Sequence, residues 1–248
     1  AVTVTGRSRA DVAFATGFVH AQDRFFQMDL SRRMAGGRLS ELVGDAAMDM
    51  DAGQRIHRFH YVAERVYAQL APAEKSVLDA YALGVNAGLD SLRVRPFEYF
   101  LLRQRPEPWR SQDCLLVVYA MYLQLNDAEG SADRQRGLLA AALPPEVYRF
   151  VYSVAPVWEA PIDGVVMSAA PVPTPEAFDL RQLQGEFGKL ASLGLPPTGR
   201  ENSAVGSNNW AVAGTHTKSG AALLANDMHL GLAVPNTWYR MRLLVASE

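Results

Sequence analysis

Gly206-Ser207-Asn208-Asn209-Trp210-Ala211-Val212 is the stretch on which the reading of this chain turns. A serine directly follows a glycine. A run rich in Pro, Gly, Ser and Asn precedes it, from Leu195 to Val205, and a strand-like segment follows. An internal serine needs this setting if the chain is to be cut before it. The scissile peptide must lie in an exposed loop, and glycine on its N-terminal side hinders attack least. The strand then holds the serine in place. Once freed, Ser207 would carry a hydroxyl and an α-amine whose ordinary pKa is about 7.7–8.0, so the amine can act as the serine's own base near neutral pH. A Gly-Ser pair alone is most often a plain turn, so the residues around it decide.

The continuation runs Ser207-Asn208-Asn209-Trp210-Ala211-Val212-Ala213-Gly214, then Ser219-Gly220-Ala221-Ala222-Leu223-Leu224-Ala225-Asn226-Asp227-Met228-His229-Leu230. It closely resembles the β-chain start of the penicillin amidase (penicillin acylase) family of N-terminal nucleophile hydrolases. A second block, Gly17-Phe18-Val19-His20-Ala21-Gln22-Asp23-Arg24-Phe25-Phe26-Gln27-Met28-Asp29-Leu30, followed by Arg32-Arg33 and Gly37-Arg38-Leu39-Ser40-Glu41, is similar to the family's early α-chain signature. The resemblance spans roughly residues 11 to 242 and is weaker between 143 and 205.

The resemblance implies an α+β fold. Its expected centre is a four-layer αββα core, of which only the first strands are present, beside a mainly helical α-chain region. The expected organisation is a helical region over residues 1–150, a Pro-rich linker over 151–206 that ends at the cleavage site, and the start of the β chain over 207–248. On this reading the chain is a fragment of a larger precursor. The implied activity is hydrolysis of the acyl side-chain amide of a small N-acylated substrate, penicillin-like or related. It would proceed through an acyl ester on Ser207, exposed by cleavage after Gly206. Two alternatives stay open: a non-catalytic scaffold or binding module, and an acylase for another acyl class such as N-acyl homoserine lactones.

Site residues follow from the same resemblance. Ser207 is the nucleophile, first for the Gly206 carbonyl and then for the substrate. His229 matches a position that faces the nucleophile and can orient its hydroxyl or amine; a packed turn histidine is the bland alternative. Asn208 and Asn209 are poor strand formers, so hydrogen bonding around the nucleophile is expected of them, or simple loop polarity. Met121, Tyr122 and Leu125 match the acyl-side pocket, with plain core as the alternative. Asp133 lies one residue beyond the position, Ala132, at which the family often supplies a calcium-binding carboxylate, and the other ligands would lie downstream. No cofactor is expected for catalysis, and a structural calcium is the one metal considered. The expected partners are the substrate and the remainder of the β chain. A periplasmic or secreted location is implied, although no signal peptide is present.

Composition narrows the classes. The chain has 248 residues, 49% hydrophobic and 20% charged, with a net charge of −2. This is a globular balance, and no basic excess points to nucleic acid or an anionic membrane. The longest apolar run, around Leu115 to Leu123, is too short to span a bilayer. Cys114 is the only cysteine, which leaves no internal disulfide and no cysteine-cluster zinc. It is expected as a small buried hydrophobe. No GxSxG, HExxH or Walker-type loop occurs.

Val2 and Val4 alternate with Thr3 and Thr5, a strand signal. Ser8 and Asp11 form a short-acid capping box. A helix follows to about residue 43, with a break at Gly36-Gly37. Further helices are expected over residues 51–70, 72–92, 111–125 with Ser111 as cap, 132–143 and 175–193. Short strands are expected over 209–213 and 222–226, and another from about 236 that stops without a partner. His20, Gln22, Asp23 and Arg24 are expected in a buried polar network that anchors the helices to the nucleophile sheet. Arg32, Arg33, Arg38 and Glu41 are assigned to the same scaffold. Trp210 is expected in the core. His57 and His60 are expected as partly exposed helix residues.

Overall fold

The structure is a computed structural model. It describes residues 2–126, 130–152, 164, 169–177, 179, 207–228 and 230–246. Within these the chain is mostly helical with few strands, an α+β arrangement. It divides into two compact units, Ala1–Asn126 with Leu232–Glu248, and Asp127–Gly231.

The longest element begins where the sequence predicts it. The Ser8 hydroxyl accepts from the Asp11 N–H at 3.1 Å, and the Asp11 carboxylate accepts from the Ser8 N–H at 3.0 Å. The capping box therefore closes even with the shorter acid. Helix α1, Arg9–Gly36, ends at Gly37, whose φ of 63° lies in the left-handed region. The Arg38 N–H then donates to the Arg33 carbonyl at 2.8 Å, the 6→1 bond of a Schellman ending.

Beyond it come α2 (Ser40–Val43), a 3₁₀ turn (Gly44–Ala47), α3 (Met48–Arg55), α4 (Phe59–Gln69) and α5 (Pro72–Asp90). The single helix expected over residues 51–70 is thus two helices. The break comes at Arg58, which adopts a left-handed φ of 54° and turns the chain before Phe59. His57 lies in this break and stacks on Phe59 at 5.1 Å, so the two histidines do not share one helix. Helix α6 is Phe97–Leu101, and α7 is Ser111–Leu125. Ser111 is not the cap of α7. It is the first helical residue and donates to Asp79 at 2.5 Å. The cap position belongs to Arg110, whose N–H donates to Asp113 at 2.8 Å.

Helix α1 packs most extensively on α5. Glycine permits the approach: a Cβ at Gly84 would lie 1.9 Å from the Phe14 carbonyl oxygen, and one at Gly17 2.3 Å from that of Tyr81. The core of this unit gathers Phe25, Tyr99, Trp109, Val85, Ala21, Ala82 and Leu42. A second cluster joins Ala35, Ala63, Leu116 and Ala120. The Asn86 amide pairs with the Trp109 backbone in both directions, at 2.9 and 2.7 Å, and fixes the proline-rich turn before α7. Cys114 sits beside Trp109, and burial pushes its thiol up to about 11.

Strand β1 (Val2–Gly6) has a partner far along the chain, β4 (Met241–Val245). They pair in parallel, with Val4 opposite Leu243. The expectation that the final strand stops without a partner is therefore corrected: a parallel ladder needs no local turn, so nothing near β4 signals it.

In the other unit, α8 (Ser131–Ala142) and α9 (Pro145–Val151) precede a hairpin of β2 (Ser207–Val212) and β3 (Leu223–Met228). These strands pair antiparallel, with Trp210 opposite Ala225. Among the expected elements, the helix over 175–193 lies largely outside the described residues; Pro175 to Ala177 form a turn.

Candidate functional site

Strand β2, Ser207–Val212, places Ser207 opposite Met228, Asn208 opposite Asp227 and Asn209 opposite Asn226. The ladder gives the serine backbone a fixed register at the end of a strand. Ser207, Asn208 and Asn209 are all exposed. The turn between the strands is tied by Thr217, whose hydroxyl contacts the Gly214 and Ala221 carbonyls at 3.0 and 2.8 Å. Trp210, expected in the core, is 54% exposed, because two strands alone leave both faces open. Gly206 and His229 lie outside the described residues.

The other candidates lie elsewhere. Met121, on α7, lines a cavity of about 450 Å³ with His20, Tyr81, Val117, Trp238 and Tyr239 among its walls. Tyr122 and Leu125 are more than half exposed and do not line that cavity. Asp133, on α8, is exposed and pairs with Arg136 at 3.4 Å. Among the described residues no three His, Cys, Asp or Glu side chains gather as a metal site, whereas calcium takes six to eight oxygen ligands.

The early signature block splits into two clusters. The first grips the segment before β4. Arg24 donates to the Asn236 carbonyl at 3.1 Å and to Gln27 at 2.9 Å. The Tyr239 hydroxyl donates to Asp23, which raises the Tyr239 pKa. His20 Nδ1 bonds the Tyr81 hydroxyl at 2.9 Å, and its ring meets Tyr239 edge-on at 4.8 Å. Burial, helped by the charge of Arg24 and opposed by Asp23, lowers the His20 pKa. The neutral imidazole is thus favoured. Gln22 reaches Ser91.

The second cluster has a buried centre and an exposed edge. Asp29, fully buried, accepts from Arg32 at 2.7 Å, from Arg33 at 3.0 Å and from the Tyr99 hydroxyl at 2.6 Å. Arg32 also reaches Asp113 at 2.6 Å and the Pro108 and Glu107 carbonyls, and it lies over the Trp109 ring. Arg33 and Arg38 share Glu41 and Glu107. Burial works to raise the Glu41 pKa, but the hydrogen bonds and charge of Arg38 and Arg33 prevail and lower it. The Tyr99 pKa is raised by burial and by its bond to Asp29. Of these partners Tyr81, Tyr99, Asp113, Asn236 and Tyr239 carry no local sequence signal. Asp29 stood in the signature block but had no role assigned to it.

The sequence matches the penicillin amidase family over residues 2–247. An acyl-homoserine lactone acylase, QuiP, of Pseudomonas aeruginosa is 32% identical over 237 residues, covering 92% of this chain and 26% of the relative. A penicillin acylase 2 proenzyme of Pseudomonas sp. strain SE83 is 31% identical, covering 95% of this chain and 30% of the relative. A thermostable penicillin G acylase from Alcaligenes faecalis superposes with a TM-score of 0.49 at 27% identity, covering 67% of this chain and 90% of that one. The chain thus spans between 26% and 30% of the length of these two curated relatives.

Proposed function

Because this chain belongs to the penicillin amidase family, we propose that the whole protein is an amidohydrolase that removes the acyl side chain from a small N-acylated substrate. The observation that carries this is the position of Ser207: it directly follows a glycine and is the first residue of β2. The family match extends across it.

The chemistry follows from that position. In the precursor the Ser207 hydroxyl attacks the Gly206 carbonyl carbon. The C–N bond breaks, the acyl group moves to oxygen, and the nitrogen takes up the proton. Water then hydrolyses the ester, leaving a Gly206 carboxylate and a free Ser207 amine. That amine serves as base when the hydroxyl attacks the substrate amide. The substrate amine leaves with the proton, and a second water releases the carboxylic acid. His229 is assigned to orient the hydroxyl or amine, and Asn208 to hydrogen-bond around the nucleophile. Preorganised donors for the oxyanion are required and are placed in the remainder of the β chain. The β2–β3 hairpin would be the start of the αββα sheet layers. The Met121 cavity, with Met28, Met34, Val117 and Ala120 among its walls, suits an acyl chain. A periplasmic or secreted location is part of the same proposal.

Acyl class is the open choice within this reading. The Pseudomonas aeruginosa relative is named for acyl-homoserine lactones, so N-acyl homoserine lactones are the second substrate class. Release of acid from a series of acyl chain lengths separates them from penicillin-type substrates. For the mechanism, intact mass and N-terminal sequencing of the full-length protein should give a second chain that starts at Ser207. Ser207→Ala should abolish both cleavage and hydrolysis while far-UV circular dichroism stays unchanged. Normal amidase activity in Ser207→Ala would sink the assignment.

A further inference from the structure

The first unit holds another cavity, of about 480 Å³, a size that suits a small ligand. Helix α1 supplies Arg9, Val12, Ala13 and Thr16 to its wall, positions three and four apart and so on one face. Apolar side chains of α5, α7 and β4 supply most of the rest, and Met28 lines it farther along α1. Arg9 and Met28 belong to the same helix, about 28 Å apart along its axis at about 1.5 Å per residue. The cavity is therefore long for its volume.

The polar groups on these walls are satisfied within the protein, with one exception. The Thr16 hydroxyl donates to the Val12 carbonyl at 2.7 Å. The Tyr81 hydroxyl bonds His20 at 2.9 Å, and the Trp109 indole N–H donates to the Cys114 sulfur at 3.4 Å. Arg9 is the exception. It is exposed, it is the one charged side chain among the described walls, and among the described residues no carboxylate pairs with it. Helix stability does not account for it, because a cation in the first turn opposes the helix dipole.

We propose that this cavity binds one fatty acid, an unbranched monocarboxylate whose head pairs with Arg9 and whose alkyl tail runs along α1 toward Met28. The proposal does not rest on the acylase reading. Met28, Tyr81 and Val117 also line the Met121 cavity, so an acyl chain entering from that side is a rival occupant. Charge decides between the two. A chain from the Met121 side would bring its methyl end to the guanidinium and leave the charge unpaired. A fatty acid entering at Arg9 places carboxylate on guanidinium and hydrocarbon on the apolar walls. A further stretch of the longer protein is the other rival, and the experiment separates it.

The test is calorimetric titration of the full-length protein with sodium decanoate at pH 8. One equivalent should bind. Each methylene removed from the tail should weaken binding by up to about fourfold. Decanol keeps the tail without the charge and should bind at least about tenfold more weakly, as expected for a lost charged hydrogen bond. Arg9→Met should weaken decanoate by a similar factor and leave decanol unchanged, whereas Arg9→Lys should keep most of the affinity. Ala13→Phe fills the cavity and should abolish binding of both ligands. Its melting temperature shows whether it has folded; if it has not, the Arg9 variants with the two ligands decide. No binding of decanoate would overturn the proposal, since the cavity would then be filled by the rest of the chain. Decanoate affinity unmoved by Arg9→Met would overturn it in favour of a chain entering from the Met121 side. Affinity unmoved in folded Ala13→Phe would place the ligand elsewhere and overturn it as well.

Discussion

Two stretches of one helix use the same residue types to opposite ends. From Asp29 to Arg33, α1 carries charges that are buried, mutually paired and capped by Tyr99 and Asp113. From His20 to Gln27, a stretch that starts about two and a half turns earlier, the polar side chains are only partly covered and reach out to a segment more than 200 residues away. Burial decides the difference. A buried charge without a partner is costly, so the first stretch tolerates no missing member. The second is partly exposed, so the loss of one partner there leaves the other to water at smaller cost.

The sharpest way to break this contrast is Asp29→Ala. It removes the carboxylate that Arg32 and Arg33 share, leaving Arg32 to Asp113 and Arg33 to Glu41 and Glu107, and takes away the acceptor of the Tyr99 hydroxyl. Removing one member of a buried pair costs about 3–5 kcal/mol, to be read as a lower urea midpoint. A loss below about 1 kcal/mol would mean that the cluster is wetter than its geometry implies. Gly84→Ala should come next. Its Cβ would meet the Phe14 carbonyl at 1.9 Å, so α1 and α5 must part, at about 1–3 kcal/mol. The same denaturation series checks it.

The smallest effect concerns acid. The His20 pKa is lowered in the fold, by burial first, and so is that of His60. The unfolded chain therefore binds more protons below its ordinary histidine value of about 6.5, and stability rises with pH through that range. The contribution is complete above about pH 6.5 and is lost as the pH falls through the lowered folded values. The carboxylates Glu41, Asp51 and Asp79, also lowered, add their losses only at more acidic pH. Melting temperature should fall between pH 7 and 5, and His20→Asn should flatten that fall. An unchanged slope would show that the imbalance lies elsewhere.

Much of this was legible in the residues. The capping box at Ser8, the glycine ending of α1, proline at the start of α5 and the hairpin around Ser207 all arise from interactions within a few residues. The break between α3 and α4 was not, because nothing in Arg58 or its neighbours announces the left-handed backbone that Arg58 adopts. Ser111 looked like a cap by type. Asp113, two residues later, took the cap N–H instead and freed the serine for Asp79.

The sequence by itself determined the helices with strong end signals, the strand that opens at Ser207, the family resemblance and the cleavage proposal. Each rests on local hydrogen bonding, hydrophobic period or an unbroken motif. Only the tertiary structure decided that β1 pairs with β4, that Asp29 holds two arginines and a tyrosine, and that the α1 signature divides into a cluster with a buried centre and a reaching one. Those outcomes depend on which distant residues meet once the core closes. A charged side chain carries its appetite for a partner in the sequence, but the identity of that partner is set by the packing that brings the two together.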